Sequence, residues 1–310
     1  YHFGGCCQSF ERDGYPFGVG IHYVGDIDEE HGVKKLLDAL TTEANPIEWT
    51  RMPDKFESVF IGQDNFRRYD MVSGRQEESL IEQFPDEKEG IRKFFKLAKE
   101  AAAAGQRAFI FKSLPRWITS FLLYTGLHRW LDKGYHKYAN QTVAQVTRSL
   151  TDNDDLRTVL EYMCGDYGVS PEQAPFVVHA LVFLSYSQGS FYPTGGPGQI
   201  PQKLSKAIAA GGGSIRVNAP VKHILVEDGK ATGVELADGK KIRAMRVVSD
   251  AGYVNTFALV PLEYQPAHLR VGNSATHASP LESGRTGLTL FVGLNGEHDK
   301  DFHMPCHHLW

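Results

Sequence analysis

The stretch Gly189-Ser-Phe-Tyr-Pro-Thr-Gly-Gly196 marks the point where the sequence changes from helical to strand-like patterning. Its glycines and proline predict a turn in which the backbone approaches a neighbouring segment closely. Ile200, Leu204 and Ile208 follow at a spacing of four, which predicts a helix that Gly211-Gly212-Gly213 ends.

Beyond this helix, the pattern predicts a meander of short strands. Asp228-Gly229 and Asp238-Gly239 are typical of two-residue hairpin turns between antiparallel strands. The predicted strands are Ser214–Val217, Val221–Glu227, Ala231–Leu236, Lys241–Ser249 and 286–294.

The residues before the turn predict a large helical block. Ser170-Pro171 has the residue types of a helix start, with a capping serine and a proline at the first helical position. The segments with helical apolar spacing are 77–84, 85–105, 113–132, 141–149, 153–165 and 171–187.

The first 72 residues predict turns, short strands and one short helix. Residues 1–25 are rich in glycine and aromatic residues, and residues 31–44 have helical spacing. Two strands within 47–72 flank Gln63-Asp64-Asn65, which predicts a hairpin. The order of elements favours an α/β (mixed α+β) fold in which a mostly helical lid interrupts a sheet-based domain.

Composition and charge exclude several function classes. Hydrophobic residues make up 42% of the 310 residues and the formal net charge is -4, so the chain is globular and lacks the basic surface of a nucleic-acid-binding protein. No apolar run is long enough for a membrane-spanning helix, and no Gly-x-Ser-x-Gly pattern indicates a hydrolase. The four scattered cysteines predict no zinc site, and Pro305 argues against a metal site formed by His303, His307 and His308.

Three further glycine-bearing stretches occur in a particular order. They are Gly4-Gly5-Cys6-Cys7, then Tyr15-Pro-Phe-Gly-Val-Gly-Ile-His-Tyr-Val-Gly25, and finally Val247-Val-Ser-Asp-Ala-Gly252. Taken singly, each predicts only a tight turn. Together with 189–196, their order and spacing resemble the retinol saturase family of all-trans-retinol 13,14-reductases, close to carotenoid isomerases and phytoene desaturases.

The resemblance implies a fragment of an FAD-binding oxidoreductase with two dinucleotide folds and a helical substrate lid. Residues 1–30 and 190–260 are expected to be parts of the FAD-binding domain, and 31–189 and 261–310 the substrate or lid domain. The resemblance implies that the first βαβ unit, which holds the FAD pyrophosphate, precedes Tyr1, and that a further flavin motif follows Trp310.

The resemblance also implies site residues. It matches Gly4, Gly5 and Cys6 to the turn near the flavin phosphates, and Gly20, Ile21 and His22 to the segment beside the isoalloxazine. It matches Val221 to a residue whose backbone meets the adenine, and Asp250, Ala251 and Gly252 to a strand end that returns to the cofactor. Gly18 stands where the family usually has Asp.

His22 and Tyr192 are the candidate proton donors, because both adjoin the matched flavin-side segments. For each of them the alternative is a purely structural role. Saturation of a polyene needs a hydride from reduced flavin at one carbon and a proton at its neighbour, so a positioned acid is required.

The resemblance implies saturation of the 13,14 double bond of all-trans-retinol to 13,14-dihydroretinol, with NAD or NADP as possible electron donor. The alternatives are a carotenoid (prolycopene) isomerase or desaturase, and an inactive lipid-binding relative, for which Gly18 argues. Segment 113–132 combines tryptophans with a basic edge, so it is either a membrane-surface helix or a buried helix of the lid. Peripheral association with the endoplasmic reticulum membrane is implied by animal relatives.

Overall fold

The computed structural model describes residues 3–20, 23–27, 32–55, 57–266, 288–296 and 308–309. Contacts between Cα atoms divide the chain into two compact units. The larger consists of Gly4–Gly211 with Arg285–Trp310, and the smaller of Gly212–Gly284 with Tyr1–Phe3, each where it is described. The expected division into a cofactor and a substrate domain stays a prediction.

The larger unit begins with a hairpin of β1 (Ser9–Arg12) and β2 (Tyr15–Gly18). Phe10 and Phe17 pack on each other and on Phe291, with ring centroids 5.0–5.4 Å apart. The predicted strand at 286–294 is wrong in its described part, because residues 288–294 pair with no strand and are anchored by side chains such as Phe291.

Two further small sheets connect distant parts of this unit. β3 (Trp49–Arg51) pairs antiparallel with β6 (Phe191–Pro193). β4 (Glu57–Ile61) pairs antiparallel with β5 (Arg67–Met71), which confirms the hairpin predicted around residues 63–65, and β10 (His308–Leu309) lies parallel to β4.

Helices form most of the larger unit. Its core lies between the longest helix and α10, where Phe94, Phe176 and Phe183 are fully buried. The helices are α1 (Gly32–Ala39), α2 (Gln76–Gln83), α3 (Lys88–Ser113), α4 (Arg116–Thr125), α5 (Leu127–Leu131), α6 (Lys133–Ala139), α7 (Val143–Arg148), α8 (Asp154–Glu161), α9 (Cys164–Tyr167), α10 (Phe176–Ser185) and α11 (Gln199–Ala210).

Two predicted helices have different bounds in the structure. The helix predicted at 113–132 is divided into α4 and α5 by Gly126, whose φ of 73° is left-handed. The helix predicted to start at Pro171 starts at Phe176 instead. Ser170 and the residues after it form a turn, with Gln173 N–H and Ala174 N–H donating to Ser170 O, and Pro175 is extended.

The smaller unit contains β7 (Val221–Glu227), β8 (Lys230–Leu236), β9 (Lys241–Arg243) and α12 (Tyr253–Ala258). The three strands form an antiparallel meander, as predicted, and Asp228 and Gly229 both have positive φ in the first hairpin turn. The strand predicted at 214–217 is absent, and the last strand ends at Arg243 instead of Ser249. Neither stretch finds a partner strand among the described residues.

Candidate functional site

The Gly4–Cys7 bend lies against two other glycine-bearing segments of the larger unit. Gly4 has a φ of 125°, and a Cβ there would lie 2.7 Å from Pro201 Cγ. A Cβ at Gly20 would lie 3.1 Å from Cys6 O, and Val19 N–H donates to Gln8 O. The structure therefore brings together the predicted residues Gly4, Gly5, Cys6 and Gly20.

Gly18 contacts the segment that follows the 189–196 turn. A Cβ there would lie 2.7 Å from Pro197 Cγ and 3.5 Å from the hydroxyl oxygen of Tyr192. Ser9 Oγ accepts a hydrogen bond from Gly198 N–H at 3.1 Å, which fixes the same contact from the other side of the hairpin. We name the cluster formed by residues 4–8, 18–20 and 192–201 the glycine cluster.

Tyr192 lies in β6, opposite Thr50 of β3, and is partly buried. Burial raises the pKa of its phenol, so the hydroxyl keeps its proton at neutral pH. The structure thus supports the proximity on which its candidacy as a proton donor depends. His22, the other candidate, and Ile21 lie outside the described residues.

The glycine cluster fits a phosphate-bearing group that approaches the backbone. A Cβ at Gly5 would meet nothing within 4 Å, so one side of the bend is open. This open side agrees with the predicted FAD.

A buried carboxylate that the sequence analysis missed contacts Tyr23, which follows the segment predicted to lie beside the flavin. Glu57 of β4 is fully buried and accepts hydrogen bonds from the hydroxyls of Tyr23, at 2.6 Å, and Tyr162, at 2.8 Å. Burial, together with the nearby Glu57, raises the pKa of the Tyr23 and Tyr162 phenols well above the usual range of a tyrosine. No alternation in the sequence marks Glu57, because Glu57, Ser58 and Val59 at the start of β4 are all buried.

A second buried polar cluster lies in the helical core. His179 Nε2 is 2.9 Å from Leu160 O, His179 Nδ1 is 2.9 Å from the Tyr167 hydroxyl, and that hydroxyl is 2.8 Å from Cys164 Sγ. Burial lowers the pKa of His179 to about 4 and raises that of Cys164 to about 11. Neutral His179 therefore donates from Nε2 and accepts at Nδ1, and the cluster satisfies its own hydrogen bonds.

The remaining predicted residues belong to the smaller unit. Val221 begins β7 with its side chain partly exposed, and Gly252, with a φ of 87°, precedes α12. Asp250 and Ala251 are exposed and lie in irregular backbone, so the strand end predicted there is wrong. These residues are separated in the chain from the glycine cluster by the boundary between the units.

Helices α3 to α6 line a cavity of about 280 Å³ in the larger unit, which is open to the surface on one side. Its walls are largely apolar, with a few polar side chains contributed by α4, α5 and α6. The lining residues are Ala108, Phe111, Thr119, Leu122, Leu123, His128, Asp132, Tyr135 and His136.

The same helices expose many large apolar side chains, which we name the α4–α5 surface. Trp117 is 73% exposed and Trp130 65%, while the choice between a membrane-surface helix and a buried helix of the lid stays a prediction. The other members are Phe121, Leu123, Tyr124, Leu127 and Leu131. Among the described helices, none is both long and apolar enough to cross a bilayer.

The described residues contain no group of side chains that could hold a metal ion. His303 and His307 lie outside the described residues, and only the backbone of His308 is described, as part of β10.

A family profile described as flavin containing amine oxidoreductase matches residues 2–253. Among curated proteins, an all-trans-retinol 13,14-reductase of Danio rerio is 36% identical over 96% of this chain, and an inactive all-trans-retinol 13,14-reductase of the same organism is 30% identical over 94%. A prolycopene isomerase of an Oncidium hybrid cultivar is 28% identical over 99% of the chain. The chain spans about half the length of these relatives, 49%, 48% and 51% respectively.

Solved structures have the same fold at low sequence identity. An oxidoreductase from Methanosarcina mazei aligns with 83% of this chain, with a TM-score of 0.54 and 16% identity. The alignment includes 53% of the oxidoreductase chain. A redesigned putrescine oxidase aligns with 84% of this chain and over 52% of its own chain, with a TM-score of 0.53 and 14% identity. The expected fold class is confirmed.

Proposed function

Because this chain belongs to the flavin containing amine oxidoreductase family, we propose that its protein is an FAD-dependent reductase that saturates the 13,14 double bond of all-trans-retinol. The family agrees with the predicted enzyme class and the predicted flavin. The retinoid substrate is our proposal, supported by the greater identity to retinol reductases, 36%, than to prolycopene isomerases, 28%.

The glycine cluster is the observation that carries this proposal. The two ends of the β1–β2 hairpin meet there with residues 192–201, which are distant in the sequence, and the bend at Gly5 is open on one side. Side chains at Gly4 or Gly20 would push these segments apart, so the glycines allow backbone to pack closely around a bound group. Gly4, Gly5 and Cys6 would lie near the flavin phosphates and Gly20 beside the ring, and the Tyr192 hydroxyl lies next to Gly18.

FAD, when bound in its reduced form, supplies a hydride to one carbon of the double bond. The protein must then deliver a proton to the neighbouring carbon and keep water away from the polyene. Tyr192 is our first candidate to deliver that proton, because its hydroxyl lies next to Gly18 and carries its proton at neutral pH. His22 is the second candidate for this role.

Two alternatives remain at the level of substrate and activity. A carotenoid isomerase or desaturase would use the same scaffold, and an inactive relative would fold without turnover. Gly18, where the family usually has Asp, favours the inactive relative, whereas the identity to an inactive reductase, 30%, is lower than the 36% to a retinol reductase of the same organism. We also propose NAD or NADP as the source of electrons, on the resemblance alone.

We propose further that the protein binds peripherally to the endoplasmic reticulum membrane through the α4–α5 surface. Exposed tryptophans favour the interface between lipid and water, and the exposed Arg116, Arg129 and Lys133 favour anionic headgroups. A lipid-soluble substrate would then reach the protein without crossing water.

The decisive experiment reduces the flavin of the full-length protein anaerobically and adds all-trans-retinol or prolycopene. We expect a product two mass units heavier than retinol with a shortened polyene absorbance, and no conversion of prolycopene. Isomerised prolycopene without retinol reduction would establish the carotenoid alternative. Bound, reducible flavin with neither product would establish the inactive one.

Tyr192→Phe tests the proton donor. Loss of a general acid typically slows a reaction by about 10²–10⁴-fold, so retinol reduction should slow by about a hundredfold or more while flavin content stays constant. Tyr264→Phe is the matched control, because Tyr264 is 43% exposed in the smaller unit and belongs to none of the proposed sites. An unchanged rate for Tyr192→Phe would leave His22 as the candidate.

Vesicle flotation tests the membrane proposal. Replacing Trp117 and Trp130 together by Ser should lower binding to vesicles of phosphatidylcholine and phosphatidylserine by about tenfold or more, since each indole loses its contact with lipid. Met245→Ser, at a side chain that is 99% exposed in the smaller unit, is the control. Equal binding of both variants would contradict the proposal.

A further inference from the structure

The cavity between α3 and α6 has an apolar body and one polar end. Phe111, Leu122 and Leu123 line the apolar part, and Asp132 and His136 lie one helical turn apart at the polar end. Its volume of about 280 Å³ is near the lower limit of pockets that hold small molecules. It therefore has room for one end of a long lipid.

The polar side chains of the cavity are partly committed to the protein. Thr119 Oγ1 donates to Phe111 O at 3.3 Å, and His128 Nδ1 lies 3.1 Å from Leu122 O. These contacts orient both side chains against backbone carbonyls, so neither is the first choice for a ligand.

Asp132 and His136 retain hydrogen-bonding capacity. Asp132 is 8% exposed, and its Oδ1 accepts a hydrogen bond from Tyr135 N–H at 3.3 Å, which leaves further lone pairs on the carboxylate. Within the described ranges, His136 contacts the rings of His128 and Tyr135 but forms no side-chain hydrogen bond. An acceptor and a ring that can donate thus lie together at the end of an apolar cavity.

The cavity is also connected to the α4–α5 surface. Leu123 lines the cavity and is 59% exposed on that surface. A lipid that lies on the surface is therefore separated from the cavity by the thickness of one side chain.

We propose that this cavity holds the hydroxyl end of a polyene alcohol as it enters from the α4–α5 surface, before the alcohol moves on to the glycine cluster for reduction, with Asp132 accepting a hydrogen bond from the hydroxyl and His136 donating one to it. An alcohol both donates and accepts, so it satisfies both groups at once, whereas a carotenoid hydrocarbon would leave both unpaired. The inference rests on the proposed function and explains a preference for retinol over prolycopene.

Equilibrium binding to the full-length protein tests the inference. The ligands are all-trans-retinol and the hydrocarbon with the same carbon skeleton but no hydroxyl, and the signal is energy transfer from tryptophan. We expect retinol to bind more tightly. His136→Leu should weaken retinol binding by about tenfold, the typical effect of removing a buried hydrogen-bond partner, and leave binding of the hydrocarbon unchanged.

Two further variants separate the cavity from general effects. Ala108→Phe fills the cavity and should weaken binding of both ligands. His223→Leu, at an exposed histidine of β7, should affect neither. Circular dichroism of each variant checks that it is folded. If Ala108→Phe does not fold, the His136→Leu variant still tests the inference.

Equal affinities of the wild-type protein for alcohol and hydrocarbon would overturn the inference, as would unchanged retinol binding in His136→Leu. Turnover is measured separately. If retinol is still reduced and neither cavity variant changes binding, only the cavity site is contradicted. Hydroxyl-dependent binding without any reduction supports the cavity site and contradicts the proposed function.

Discussion

At the scale of single residues, the clearest result is the reason for glycine at position 18. Pro197 occupies the space where a side chain would extend, 2.7 Å from the position of a Cβ. The Asp that the family usually has would collide with this proline ring. Glycine at position 18 therefore allows the 192–201 segment to pack closely against β2, which a carboxylate side chain there would prevent.

The first prediction follows from this contact. Gly18→Ala should lower the free energy of unfolding by about 1–3 kcal/mol, because the added methyl group overpacks a tight contact. Pro197→Ala should recover part of that loss when it is combined with Gly18→Ala. Chemical denaturation of the four proteins measures the coupling, and strictly additive effects would contradict the direct contact.

His179 gives a prediction for pH. Its pKa is about 4 in the folded protein, against 6.5 for a histidine exposed to water, so between these values the unfolded chain binds a proton that the folded chain does not. Stability is therefore complete above about pH 6.5 and falls as the pH decreases, by about 2 kcal/mol between pH 7 and pH 5.

Unfolding measured at several pH values checks this dependence. His179→Gln should be less stable at pH 7 but should lose the part of the slope that belongs to this imidazole. His223→Gln should keep the slope of the wild-type protein, because His223 is exposed on β7. Identical slopes in all three proteins would show that His179 is not held neutral by burial.

At the scale of elements, helix termini are set by local hydrogen bonds. α7 begins with a capping box in which Thr142 Oγ1 accepts from Gln145 N–H at 3.2 Å and Gln145 Oε1 accepts from Thr142 N–H at 2.9 Å. Gly126 separates α4 from α5 because its left-handed φ ends the first helix. The α4–α5 surface is therefore divided between two helices.

The capping box supports a prediction for α7. Thr142→Ala should lower the free energy of unfolding by about 1 kcal/mol, since Gln145 N–H loses its acceptor. Thr158→Ala, at an exposed position inside α8, should be neutral or slightly stabilising because alanine has the higher helix propensity. Urea denaturation compares the two, and equal losses would contradict the role of the cap.

At the scale of the whole larger unit, Glu57 joins three segments that are distant in sequence. Its two tyrosine partners are 34 and 105 residues away along the chain. Tyr23 follows the predicted flavin-side segment, and Val24 pairs with Phe191 next to Tyr192. The hydrogen bonds of Glu57 therefore connect Tyr162, which follows α8, to the segment at Tyr23 and Val24, whose partner Phe191 precedes the glycine cluster.

Glu57→Leu should be strongly destabilising, by about 3–5 kcal/mol, because two buried hydroxyls lose their acceptor. Flavin content should fall with it, since the segment at Tyr23 loses its anchor. Tyr162→Phe removes one donor only and should cost about 1 kcal/mol. Glu43→Ala, at an exposed residue, is the control. Retained stability and flavin in Glu57→Leu would contradict this linking role.

The sequence by itself determined the elements whose signals are local. The hairpin at residues 63–65, the helix ended by Gly211 and the meander around Asp228-Gly229 follow from turn chemistry and apolar spacing, which act within a few residues. The order of the glycine motifs also identified the family. The matches at Gly4, Gly5, Cys6 and Gly20 needed no structure.

Tertiary structure alone decided which of these residues meet. Glu57, Asp132 and His136 gave no motif because their roles depend on partners brought near by folding, such as Tyr162, which is distant in the sequence. The stretch at 288–294 has the composition of a strand but finds no partner strand in the described residues. Pairing, burial and cavities arise from long-range packing, and neither local spacing nor propensity encodes that packing.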